Sequence, residues 1–244
     1  MDNRAFAERS DLDRSKPTGH RGLVLGMLCF VYVLNFLDRQ LVSILAKPIQ
    51  DGLHITDSEL GRITGFYFAL FYCFIAIPVG WLADRTNRVK VLSIACGLWS
   101  AATAACGMAA NYGQLVAARM AVGVGEAGLS PPAHSLISDY FEPKKRASAL
   151  SVYAFGIPLG TMFGAMAGGW IAENLSWQAA FMMVGFPGVM VAIAIKLIVK
   201  EPPRGWADRK ALADERATAQ AAGLPVAPEA SIAVAPAEAA ATAT

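Results

Sequence analysis

Apolar positions in this chain fall into six long blocks rather than recurring singly at helix or strand intervals. The blocks run over residues 22–45, 60–83, 91–110, 115–137, 147–171 and 179–199, more than half of the 244 residues. Each is about twenty residues long, the length an α-helix needs to cross the hydrocarbon core of a bilayer. The pattern predicts an all-α integral membrane protein. An N-terminal arm covers 1–21, a bundle of six transmembrane helices covers 22–199, and a tail covers 200–244. The first block is too long for a cleaved signal peptide, and Leu45-Ala46-Lys47 is not a small-residue cleavage site.

Charge between the blocks sets the expected orientation. The connections after blocks 1, 3 and 5 hold Lys47, Asp51, Asp57, Glu59 and Glu173, whereas those after blocks 2 and 4 hold Arg85, Arg88, Lys90, Lys144, Lys145 and Arg146. Short-loop Lys and Arg stay cytoplasmic, and both the arm and the segment after block 6 are basic. Both termini are therefore expected in the cytoplasm, with the bundle in the plasma (inner) membrane and lipid around it.

Composition agrees. Only 16% of residues are charged against 55% hydrophobic, and mean hydropathy is +0.42, which excludes an ordinary soluble domain. A net charge of +2 without a basic, aromatic-rich run gives no sign of a nucleic-acid partner. Cys29, Cys73, Cys96 and Cys106 lie within apolar blocks without metal-ligand spacing and read as packed thiols. No metal or cofactor is implied. From Ala207 to Thr244, 16 of 38 residues are Ala. This composition predicts a disordered tail. A short helix near 208–222 is allowed by Ala propensity, but nothing is expected to bury it.

Four ionisable residues interrupt the apolar blocks: Asp38 and Arg39 in the first, Arg119 and Glu126 in the fourth. Each costs at least about 2.5 kcal/mol at mid-bilayer and needs a partner or a wet cavity. At 1.5 Å per residue, Arg119 lies roughly 6 Å inside its end, Asp38 roughly 10 Å and Glu126 roughly 16 Å. Arg119 and Glu126 are two turns apart on one face, with Gly123 between them leaving room for a helix or a ligand. Asp38 is expected to pair with Arg119 and leave Glu126 free. Arg39 points about 100° away from Asp38, toward a different helix. Protonatable groups in a polar cavity and a purely structural ion pair both fit this pattern. Arg62 and Lys196, near block ends, are expected to snorkel.

Gly80-Trp81-Leu82-Ala83-Asp84-Arg85-Thr86-Asn87-Arg88 resembles the signature loop between helices 2 and 3 of the major facilitator superfamily. The expected turn has Asp84 accepting from a helix start and Arg85 and Arg88 holding the cytoplasmic side. Asn87 replaces the usual Gly, a change tolerated where the backbone is left-handed. Arg119 to Ala127, an Arg followed by closely spaced glycines, resembles the helix 4 motif. Within the superfamily the chain is most similar to spinster-like transporters, through Asn35-Phe36-Leu37-Asp38-Arg39, Asp57-Ser58-Glu59-Leu60-Gly61, Gly123-Val124-Gly125-Glu126-Ala127 and Glu201-Pro202-Pro203-Arg204-Gly205. The resemblance covers about residues 20–205. It implies one six-helix half of a secondary transporter, not an enzyme, working by alternating access and coupled to protons. Asp38, Arg119 and Glu126, with Asn35 and Arg39, are the implied coupling and substrate contacts. The implied cargo is a small organic anion or a lysolipid-like amphiphile.

Gly156, Gly160, Gly164 and Gly168 form a stripe along helix 5 that a neighbouring helix can approach closely. Pro78, Pro131, Pro132, Pro158 and Pro187 permit bends. Tyr32, Phe36, Phe66, Tyr67, Phe71, Tyr153 and Phe155 could line an aromatic wall, though most of them are expected to face lipid or pack against neighbouring helices. Superfamily transporters carry two such halves, so a second six-helix body, from its own copy or another chain, is an expected partner. A fragment of a longer transporter, a self-pairing half and a non-transporting scaffold all remain open here. A remote alternative is an intramembrane hydrolase using Ser130 and His134.

Overall fold

The computed structural model describes Leu12 and residues 20–222. Six spans follow one another. Span 1 is α1 (Arg21–Ile44), continued beyond a kink by α2 (Ala46–Leu53). Span 2 joins α3 (Asp57–Gly61), a π-helical stretch (Arg62–Tyr67) and α4 (Phe68–Arg85). Span 3 is α5 (Arg88–Cys106); span 4 is α6 (Tyr112–Ala127) and α7 (Ser130–Tyr140). Span 5 is α8 (Pro143–Ala154) and α9 (Gly156–Asn174), and span 6 is α10 (Trp177–Ile198). α11 (Trp206–Ala221) follows.

Local chemistry sets these boundaries. Thr56 and Glu59 form a reciprocal capping box at the start of span 2. Asn111 and Ser176 cap spans 4 and 6 by accepting from the amides of Gln114 and Ala179. α2 ends at His54, which among the described residues is the non-glycine residue with positive φ (52°). Five spans are long and apolar enough to cross a membrane. The fourth falls short because it is divided at Gly128 and Leu129. Pro131 and Pro132 supply no amide to the carbonyls of Ala127 and Gly128, so the helix restarts at Ser130.

Span 1 lies against span 5, and span 3 against spans 4 and 6, at backbone-to-backbone distance. A Cβ on Gly160 would collide with the Val33 carbonyl, and one on Gly125 would sit 2.5 Å from the Trp99 amide nitrogen. Only glycine permits such approaches. The stripe of Gly156, Gly160, Gly164 and Gly168 thus faces span 1, and Gly123 faces the Phe68 carbonyl of span 2, so its space is filled by a helix. Spans 2, 5 and 6 turn large apolar side chains outward, among them Phe74, Ile77, Met166 and Leu197, the surface a bilayer or a partner would cover. Cys96 and Cys106 are buried as expected, whereas Cys73 is exposed on span 2.

The tail departs from its expectation. α11 is anchored: Trp206 is fully buried, and its indole N–H donates to the Leu12 carbonyl at 3.0 Å. Arg21 and Lys210 lie over its ring at 5.5 and 5.4 Å, and Asp208 accepts from Arg146 at 2.7 Å. The expectation that nothing would bury a helix here fails because Leu12, far back in the chain, packs with Trp206 and Ala207. The rest of the predicted disordered tail, 223–244, lies outside the described residues.

Candidate functional site

The charged residues of spans 1 and 4 meet as two ion pairs. Arg119 donates to Asp38 Oδ2 at 3.2 Å, as the depth argument expected, and the Trp99 indole of span 3 approaches the same oxygen at 3.4 Å. Both members are buried. The second pair corrects the expectation that Glu126 stands free. Arg39 donates to Glu126 Oε2 through Nε at 2.9 Å and Nη2 at 2.6 Å. Adjacent residues on α1 diverge by about 100°, but the long Arg39 side chain reaches along the span and contacts the same helix as Asp38. Its side chain is 35% exposed, while that of Glu126 is 0% exposed.

Aromatic rings surround these cations. The Arg39 guanidinium lies 5.3 Å from the Phe36 ring, 5.2 Å from Phe68 and 5.5 Å from Tyr72, and Arg119 is 5.5 Å from Phe68. Such contacts favour a cation where water is scarce. Phe68, Tyr72 and Trp99 escaped the sequence reading because single aromatics in an apolar span look like packing. Among the aromatics weighed as wall or lipid-facing, Phe66 and Phe155 face outward. Asp38 Oδ1, Arg119 Nε, Glu126 Oε1 and the buried Asn35 Nδ2 have no hydrogen-bond partner among the described residues. A cluster with spare donors and acceptors on both signs of charge can bind a polar group or exchange partners.

The signature loop divides in two. Arg88 is fully buried, not a surface anchor: it donates to Asp139 in a short ion pair, to Glu201 at 2.6 Å, to the Ser135 hydroxyl at 2.8 Å and to the Pro202 carbonyl at 2.9 Å. Glu201 also accepts from the Val89 amide, and Arg204 donates to the carbonyls of Ala83 and Thr86. The strand of chain after span 6 thereby ties the ends of spans 2, 3 and 4 together. Asp84 is exposed and does not cap span 3. Asn87 does, accepting from the Lys90 amide at 2.8 Å with an extended backbone (φ −71°), so capping rather than left-handed geometry explains its place in the motif. Arg85 rests on the Trp81 ring at 4.2 Å, and the space around Gly80 is open.

Ser130 and His134 do not form a nucleophile and base, since His134 Nδ1 contacts the Ser130 backbone carbonyl at 2.9 Å. Among the described residues no group of three or more His, Cys, Asp or Glu is placed to hold a metal.

Six packed helices with apolar outer faces and paired charges inside define a multi-pass membrane protein. The family model of the Major Facilitator Superfamily matches residues 28–237, and the chain belongs to that superfamily. It is 35% identical over 175 residues to an MFS-type efflux pump of Mycolicibacterium smegmatis, covering 72% of this chain and 41% of that protein. To protein spinster homolog 1 of Bos taurus it is 32% identical over 195 residues, covering 79% and 37%. The crystal structure of a bacterial homologue of the human lysosomal transporter Spinster, inward-facing and occupied, superposes with a TM-score of 0.69 at 36% identity, over 78% of this chain and 47% of that one. The chain thus spans about two fifths of the length of these curated relatives, and its bundle resembles one half of such a transporter.

Proposed function

We propose that the bundle is the substrate-binding and proton-coupling half of a spinster-like secondary transporter that moves an organic anion or anionic amphiphile by alternating access. The observation that carries this reading is the asymmetric Arg39–Glu126 pair: a carboxylate sealed in the bundle, neutralised by a guanidinium that is one-third exposed. Protonation of Glu126 removes the charge that holds Arg39 and leaves a partly exposed cation, ringed by aromatics, without its counter-charge, which an anionic ligand then neutralises. Arg119 holds Asp38 in the same layer, and Asn35 adds an amide donor beside it. The exposed Asp84, with Arg85 and the open Gly80 surface, is the gate at which a second six-helix body would dock, while Arg88 holds the loop from within. The basic end, with both the 1–21 arm and the segment after 200, lies in the cytoplasm, and the protein in the plasma (inner) membrane.

The test is proton uptake on ligand binding, followed with a pH-sensitive dye in weakly buffered, nanodisc-held protein titrated with dodecanoate. Wild type takes up protons as the ligand binds. Glu126→Gln, which keeps shape without charge, binds with uptake abolished. Undiminished uptake in that variant would sink the coupling role of Glu126.

A further inference from the structure

From Arg39 a continuous file of rings runs toward the basic end. The guanidinium lies over Phe36 at 5.3 Å; Phe36 meets Tyr32 edge-on at 5.0 Å; Tyr32 stacks on Tyr153 of span 5 at 4.4 Å; and the His134 imidazole of span 4 meets Tyr153 edge-on at 5.2 Å. Residues 39 and 32 are two turns apart on α1, about 10 Å, and Tyr153 and His134 continue the ring contacts from Tyr32. Ser130 lies one turn before His134 on span 4, and its backbone carbonyl faces the imidazole.

The histidine's orientation fixes its chemistry. Its Nδ1 lies 2.9 Å from the Ser130 carbonyl, which can only accept, so Nδ1 carries the hydrogen. In the neutral ring Nε2 is then a lone-pair acceptor, and the side chain is exposed. The file thus has a cation at one end, an apolar aromatic middle and, at the other, an imidazole whose Nε2 faces away from the Ser130 carbonyl.

We infer that His134, with Ser130 and Tyr153, forms a second ligand subsite that accepts a hydrogen bond from a hydroxyl at the distal end of an amphiphile whose anionic head lies at Arg39. This rests on the anion-site reading above and narrows the cargo to chains carrying a polar group at both ends. A ligand with a bare alkyl end makes no hydrogen bond to this nitrogen, whereas a terminal hydroxyl does, which distinguishes the two classes.

The experiment compares binding of dodecanoate and ω-hydroxydodecanoate to the nanodisc-held chain by titration calorimetry. Wild type should prefer the hydroxylated ligand by about 3- to 10-fold, the range of one net hydrogen bond. His134→Ala should bind both equally, at the wild-type affinity for dodecanoate, and His134→Gln, which restores an acceptor, should recover part of the preference. A wild type without preference, or a preference intact in His134→Ala, overturns the subsite while leaving the anion site standing. Loss of both ligands in Arg39→Gln supports the anchoring of the head at Arg39. Failure of wild type to bind either ligand overturns both readings together.

Discussion

Two buried arginine centres, one at the middle of the bundle and one at its basic end, use the same chemistry to opposite effect. Arg88 commits its guanidinium to two carboxylates, a hydroxyl and two backbone carbonyls drawn from span 4 and the segment after span 6. The carboxylates are themselves held by the amides of Val89 and Gly205. The central layer has two cations for two anions, yet atoms of Asp38, Arg119 and Glu126 stay unpartnered and Arg39 is partly exposed. A saturated network resists rearrangement, whereas an under-saturated one has alternatives within reach. The basic end is a fastening, and the middle is where partners can change.

Breaking the fastening should have the largest effect. Arg88→Ala strands Asp139 and Glu201, and such losses cost about 3–5 kcal/mol; thermal unfolding in mild detergent should show a steep loss of stability, and wild-type unfolding would contradict the assignment. The two central cations should separate next. Arg119→Gln leaves the fully buried Asp38 without its cation and should unfold at markedly lower temperature. Arg39→Gln strands the equally sealed Glu126 and should also unfold at lower temperature, but by less than Arg119→Gln because the Arg39 position is 35% exposed and admits water, while losing anion binding. Equal destabilisation of the two would erase the distinction drawn between them. The smallest effect sharpens the loop: Asn87→Ala should cost about 1 kcal/mol as a lost N-cap, and Asp84→Ala should leave stability unchanged, both read from the same unfolding curves.

How much of this was legible follows from what each inference needed. The spans needed only block length, and the Asp38–Arg119 pair only depth and a shared face, so both could be read from the chain. The Arg39–Glu126 pair could not, because helical angle predicts where a Cβ points but not where a long side chain ends. The pairing of Arg88 with Asp139 and Glu201, 51 and 113 residues away, needed tertiary contact, as did the anchoring of Trp206 on Leu12. The twin prolines marked a bend in span 4, yet its position at Gly128 and Leu129 emerged only with the backbone.

The π-helical stretch at Arg62–Tyr67 leaves span 2 with more residues than a regular α-helix needs for the same rise. Each surplus residue rotates everything downstream by about 100°, and Phe68 and Tyr72, which close around Arg39, come immediately after it. The stretch therefore behaves like a stored insertion. A chain one residue shorter between Gly61 and Phe68 could keep every hydrogen bond of a straight helix and still present a different pair of side chains to the cation, so ligand preference can change here by length alone, without a single substitution at the site.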